Sequence, residues 1–183
     1  GAHARWSGDA SVHGVTQWGS ATLVPGTTYS SSFSMSLIGL EAQWNPLTLA
    51  GDGRRDTIDD LEVICGPNLG INWLQINQSV DTVDTNGTWG TVYGGMQIDT
   101  TVDLRHVADW LHTMTVGFHG SVGSTVTGGG LFFKVGGGVT INFTPNIGAS
   151  IGYRLMEYNA LKQGSWQVDP SFPGLLIGLN VAF

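Results

Sequence analysis

The last thirteen residues constrain the fold more than any other stretch. Leu175, Ile177, Leu179, Val181 and Phe183 occupy one parity, with Gly178, Asn180 and Ala182 between them and Leu176 as the one exception. A period of two is the signature of a β-strand, whose successive side chains point to opposite faces. One face is uniformly large and apolar, and the other is small or polar. The same alternation precedes it twice. Leu131, Phe133, Val135, Val139, Ile141 and Phe143 oppose Lys134, Gly136, Gly138, Thr140 and Asn142, with Phe132 breaking the pattern, and Ile147, Ala149, Ile151, Tyr153 and Leu155 oppose Gly148, Ser150, Gly152 and Arg154. Thr144, Pro145 and Asn146 join these two runs and fit a tight turn, so the runs form a hairpin.

Further back, Trp110, His112, Met114, Val116, Phe118 and Val122 share a parity against Thr113, Thr115, Gly117, His119, Ser121 and Gly123. Val92, Met96, Ile98, Thr100, Val102 and Leu104 oppose Tyr93, Gln97, Asp99, Thr101, Asp103 and Arg105. Strands are expected near 8–18, 31–44 and 62–79, the last bent around Gly66 and Pro67, because an interior proline removes a ladder donor. Parity there points both ways: Leu69, Ile71 and Trp73 compete with Leu74, Ile76 and Val80 for the outer face, and a bulge reconciles them. Glu41 and Gln43 share the parity of Met35 and Leu37, which places them at the rim or past a bulge. Leu104, Val107, Ala108 and Leu111 also fit helical spacing, so a short helix within 104–111 competes with an irregular turn.

The count is eight antiparallel strands in one all-β domain spanning residues 1–183. No run of 18 or more apolar residues exists, which excludes a helical membrane span, but a transmembrane β-barrel needs none. Charge decides the direction of the apolar parity. Only 7 Lys and Arg and 14 Asp and Glu occur, against 28 Gly. A lipocalin-like barrel or a sandwich would turn the polar parity to water and clothe it in Lys and Glu. Here that parity is mostly Gly, Ser, Thr and Asn over 130–154, which suits a narrow enclosed lumen. The expectation is therefore an eight-stranded antiparallel transmembrane β-barrel. Phe118, Phe133, Ile141, Ile151, Ile177, Leu179 and Val181 form its lipid-facing belt, and Asp99, Asp103, Lys134, Arg154 and His119 form a luminal polar network. Loops 19–30, 80–88, 124–129 and 159–171 fall at one end, and turns 45–61, 105–109 and 144–146 at the other.

The remaining motifs carry little chemistry. The acidic balance, with an isoelectric point near 4.9, leaves no basic stripe for nucleic acid. The five His at 3, 13, 106, 112 and 119 lack zinc-site spacing, so no metal or cofactor is expected. His119 and Ser121 share one strand face near Asp99 and Asp103, the residue types of a hydrolytic triad, but a luminal pair meets no acyl chain. Asp52, Asp56, Asp59, Asp60 and Glu62 around Arg54 and Arg55 read as a solvated turn, and so do Asp81, Asp84 and Asn86. The glycine triplets 128–130 and 136–138 lack the helix and Lys of a phosphate cradle and read as close backbone packing. The lone Cys65 reads as an inert thiol. Trp and Tyr near strand ends match interfacial aromatic girdles.

The terminal aromatic, the glycine-rich alternating strands and the short Pro-containing turn resemble the small eight-stranded bacterial outer-membrane β-barrel superfamily of OmpA-like, OmpX-like and opacity-type barrels. The resemblance is one of pattern and is strongest over 88–183. It implies a bacterial outer membrane, contact with its lipid and lipopolysaccharide, and insertion by the barrel-assembly machinery with Phe183 as assembly signal. It implies no single activity. The expected role is structural or interactive: envelope integrity, adhesion, or docking of an envelope partner through loops 19–30 and 159–171. The alternatives are a narrow channel for ions or very small solutes, and a lipid A-modifying enzyme.

Overall fold

Every long strand pairs with the next long strand along the chain. The structure, a computed structural model, describes residues 2–11, 13, 15–18, 21–51, 61–81, 83–163 and 166–181. Its strands are β1 (Ala2–Ser11), β2 (Thr16–Trp18), β3 (Ala21–Leu23), β4 (Thr28–Gln43), β5 (Leu47–Ala50), β6 (Leu61–Val80), β7 (Val83–Asp103), β8 (Thr113–Thr125), β9 (Leu131–Asn142), β10 (Ile147–Asn159), β11 (Leu161–Gln163), β12 (Trp166–Val168) and β13 (Ser171–Val181). The main sheet runs β1-β4-β6-β7-β8-β9-β10-β13, antiparallel throughout, with β5 beside β6. It curls strongly into a half-barrel. Among the described residues there is no helix, and no ladder joins β1 to β13. β2 pairs with β3 and β11 with β12 in two small separate sheets. Phe183 and the acidic stretch 52–60 lie outside the described residues.

Several boundaries differ from the sequence expectation. The first strand is Ala2–Ser11, and residues 16–18 belong to a separate hairpin. The expected loop 80–88 is instead a continuous ladder: β6 turns into β7 at Asp81, whose φ of 55° is tolerable for Asp, and Asn77 pairs with Asn86 and Ser79 with Asp84. Turn-forming residues here are strand residues, with Asn77, Asp84 and Asn86 exposed. Residues 104–112 form irregular turns, closed by Val107 and Ala108 N–H donating to the Leu104 carbonyl, and no helix. The loop 126–130 carries φ of +77°, +66° and +129° at Gly128, Gly129 and Gly130, which only glycine adopts freely.

Pro67 does not interrupt β6. Its carbonyl accepts from Trp44 N–H at 3.1 Å, so its missing N–H faces the same neighbour. That neighbour is the break between β4 and β5, where residues 44–46 leave the ladder. A Cβ on Gly66 would lie 1.8 Å from the Trp44 carbonyl oxygen, so this crossing requires glycine. The irregularity expected within β6 falls on the strand beside it.

No bulge is needed to reconcile the two parities of β6, because the ladders to β4 and β7 run without a register shift. Leu69 and Trp73 are exposed on the convex face, whereas Leu74, Ile76 and Val80 are buried on the concave one. Polarity inverts along the strand. β4 does the same: Ile38 and Leu40 are exposed on the convex side, while Leu37 is buried and Phe33 and Met35 pack with the interior cluster. Glu41 and Gln43 therefore sit on the concave face itself, and neither the rim nor a bulge accounts for them. The concave core comprises Leu37, Leu74, Ile76, Trp89, Tyr93, Phe132, Met156, Tyr158 and Leu161. Its rings interlock, with Phe132 4.8 Å from Tyr158 and 5.0 Å from Tyr93. Phe132, the exception in the β9 alternation, is the centre of this cluster.

Candidate functional site

The convex face is the more unusual surface. Phe118, Phe133, Ile151, Ile177, Leu179 and Val181 are all exposed, with Ile177 at 79% and Leu179 at 84%, and Ile141 is half-buried between them. Register joins these side chains into one band: Ile98 lies beside Phe118, Val116 beside Val139, Val139 beside Ile151, and Ile151 beside Ile177. On β7 the band runs from Val92 to Val102 and on β10 from Ile147 to Leu155. A tilted strand needs about 9–11 residues to cross a bilayer. Beyond it the convex side chains of β4, β6 and β7 become Ser32, Ser34, Ser36, Gln75, Asn77, Asp84 and Asn86. At the opposite end Trp110 stacks on Phe143 at 6.2 Å, and both are exposed. Cys65 is half-buried on the convex side, beside Ile98.

On the concave face the five expected luminal groups do not form one network. Lys134 is buried and pairs with Glu41, across the interior from β9 to β4. The Tyr93 hydroxyl donates to the same carboxylate at 2.8 Å, and the Lys134 ammonium lies 5.3 Å from the Tyr93 ring centroid. Arg154 lines a cavity of about 110 Å³ with Glu41, Lys134, Asn72 and Tyr93. Asp99 and His119 line a second cavity of about 240 Å³ nearer the 104–112 turns. Asp103 stands apart at the rim, beyond the last apolar residue of β7, where Arg105 Nε donates to its carboxylate at 2.8 Å. Those side-chain bonds, joined by the Arg105 backbone N–H, hold the Asp103 carboxyl down at about 2.

The sequence reading missed Glu41 as the partner of Lys134, although its shared parity with Leu37 was the available signal. It also missed Asn45, Asn68 and Asn72. Ser121 donates to Asn68 Oδ1 at 2.9 Å, and the buried His119 Nε2 has no partner, so the side-chain bonds of a triad are not assembled between them. Glycines act as sockets for side chains on the paired strand. A Cβ on Gly70 would strike the Tyr93 ring, one on Gly117 the Asp99 carboxylate, and one on Gly136 the His119 ring. The triplet 136–138 is thus a packing feature, and in 128–130 a Cβ on Gly128 would strike the Lys162 carbonyl oxygen and one on Gly130 the Asn159 carbonyl oxygen. The loop hairpin β11–β12 is tied to the core, since Leu161 is fully buried and Trp89 Nε1 donates to the Lys162 carbonyl at 3.3 Å.

Chemically, the concave side pairs buried charge and keeps two polar-lined cavities, and the convex side presents a band of exposed apolar side chains. Comparison of the chain with models of protein families, with curated proteins and with solved structures finds no match.

Proposed function

We propose that the curled sheet closes as an eight-stranded antiparallel transmembrane β-barrel in a bacterial outer membrane. Its role there is structural or interactive: envelope integrity, adhesion, or docking of an envelope partner through loops 19–30 and 159–171. One observation carries the reading. Polarity inverts at a common level on adjacent strands of unbroken register, from Leu37 to Ile38 on β4 and from Trp73 to Leu74 on β6. A sheet wholly in water keeps its apolar side chains on one face along its length. A sheet that leaves water for hydrocarbon turns them outward where lipid begins, because lipid penalises exposed charge by about 2–4 kcal/mol at the midplane.

The interior is consistent with a structural role. Eight strands leave an interior just wide enough for side chains to fill or for one small ligand, and the aromatic cluster around Phe132 fills one end. The loop strands give the docking role its surface, with β11–β12 tied to the core through Leu161 and Trp89.

The test is expression with an outer-membrane signal sequence in a Gram-negative host, followed by membrane fractionation and detergent gels with and without boiling. The expected result is outer-membrane recovery and heat-modifiable migration. A monomer that stays soluble without detergent overturns the reading.

A further inference from the structure

The larger concave cavity has a donor and acceptor balance that points to a ligand. Gln43, Gln97, Asp99, His119, Thr140 and Ser150 line it, from five strands. Glycines 117, 138 and 152 form much of the remaining wall, which leaves the space open.

Two hydrogen bonds fix how the amides around it are turned. Gln97 Nε2 donates to Asn45 Oδ1 at 2.6 Å. Gln43 Nε2 donates to the Glu41 carboxylate at 3.0 Å. A carboxylate can only accept, so the orientation of Gln43 follows from its partner. One N–H of Gln43 and one of Gln97 are thereby engaged outside the cavity, and each residue keeps a carbonyl oxygen to offer. With the Asp99 carboxylate, that makes three acceptor groups from β4 and β7, the strands on either side of β6, one of them anionic. Lys134, the nearest ammonium, is matched by Glu41, and Arg154 lines the smaller cavity beyond them.

We propose that this cavity binds a small organic cation carrying N–H donors, a primary ammonium being the simplest. Its charge sits against Asp99 and its N–H groups reach the Gln43 and Gln97 carbonyls. The volume lies below the roughly 300–1,000 Å³ of drug-sized pockets, which limits the ligand to a few heavy atoms.

The experiment uses the full chain refolded in detergent micelles, with amide NMR shifts read during titration of methylammonium, tetramethylammonium and acetate. Methylammonium should shift the amides of Gly117, Ser150 and Gly152 saturably and leave the Phe132 end unchanged. Asp99→Asn, nearly isosteric, should weaken it by about tenfold. Tetramethylammonium, a cation without N–H groups, should bind more weakly than methylammonium in the native chain. The proposal is overturned by unsaturable shifts, by equal affinity for both cations, by an Asp99→Asn variant that binds as tightly, or by a site that takes acetate in their place. Ser150→Leu, which fills the space, should abolish the shifts while heat-modifiable migration persists; retained binding in that variant also overturns the proposal.

Discussion

Two halves of the same three strands obey opposite rules. In the half of β4, β6 and β7 near Asp81, the concave side chains are Phe33, Met35, Leu74, Ile76 and Trp89, and the convex ones are Ser32, Ser34, Asn77 and Asn86. In the other half the convex side chains are Ile38, Leu40, Leu69, Ile71 and Val92, and the concave ones are Glu41, Asn68, Asn72 and Gln97. The backbone ladder does not change between them. Which side of a strand is apolar therefore changes along its length without any change in the ladder. Parity assigns a side chain to a face and does not by itself say which face is the apolar one.

The largest effect that can test this contrast lies in the filled half. Phe132 is fully buried between Tyr93 and Tyr158, so Phe132→Ala removes a ring and leaves a cavity among others. The expected loss is about 3–5 kcal/mol. Thr140→Ala, beside the open cavity, should cost less than about 1 kcal/mol. Urea unfolding of both variants in the same detergent measures the difference, and equal losses would mean that the two halves are packed alike.

Next in size is the convex face. Ile151 sits in the middle of the apolar band, beside Val139 and Ile177. Ile151→Arg should cost about 2–4 kcal/mol for folding into lipid vesicles. Asn77→Arg, on the same face past the inversion, should stay within about 0.5 kcal/mol. If arginine is tolerated equally at both positions, the band is not covered by hydrocarbon.

The pair that joins the walls sharpens the contrast from inside. Glu41→Gln leaves the Lys134 ammonium, 5% exposed, without its carboxylate. Glu41 itself keeps 20% of its side-chain surface, which moderates the cost to about 2–3 kcal/mol. The double variant Glu41→Gln with Lys134→Met should recover most of that loss, since removing both charges removes the desolvation penalty too. A double variant as unstable as Glu41→Gln alone would assign the cost to lost packing.

Much of this was legible in the residues, and for reasons that also explain what was not. β8, β9, β10 and β13 keep one polarity over most of their length, so alternation alone gives their faces, although β8 begins only at Thr113, β10 runs on to Asn159 and β13 begins at Ser171. In β4 and β6 the inversion superimposes two patterns, and without an environment boundary in mind Leu74 and Ile76 look like a slip in register. The hairpin at Asp81 was hidden because Asp, Asn, Thr and Gly signal turns, although Asp84 and Asn86 here are exposed residues of an unbroken ladder. At the candidate site, the sequence marks Asp99 and His119 as inward but cannot show that Lys134 reaches Glu41, 93 residues away in the chain. Asn45 was invisible for a similar reason: only the crossing at Gly66 brings it over to Gln97 and Asp99.

The smallest expected effect sits at the rim, where the contrast between paired and open interior ends in solvent. Asp103 is almost wholly covered, while Arg105 keeps 54% of its side-chain surface. The Arg105 bonds depress the folded-state carboxyl to about 2, against about 3.9 in an unfolded chain. A depressed carboxyl stabilises the fold at every pH above its unfolded value, and that contribution fades as pH falls through about 4 and is gone near 2. Asp103→Asn should therefore lower the unfolding midpoint slightly at pH 6 and leave a smaller difference from the native chain at each step down to pH 2. A partner that open to water contributes little, so the whole effect should stay below that of Glu41→Gln. A difference that persists unchanged at pH 2 would place the role of Asp103 in its hydrogen bond to the Arg105 backbone, which asparagine would not fully replace.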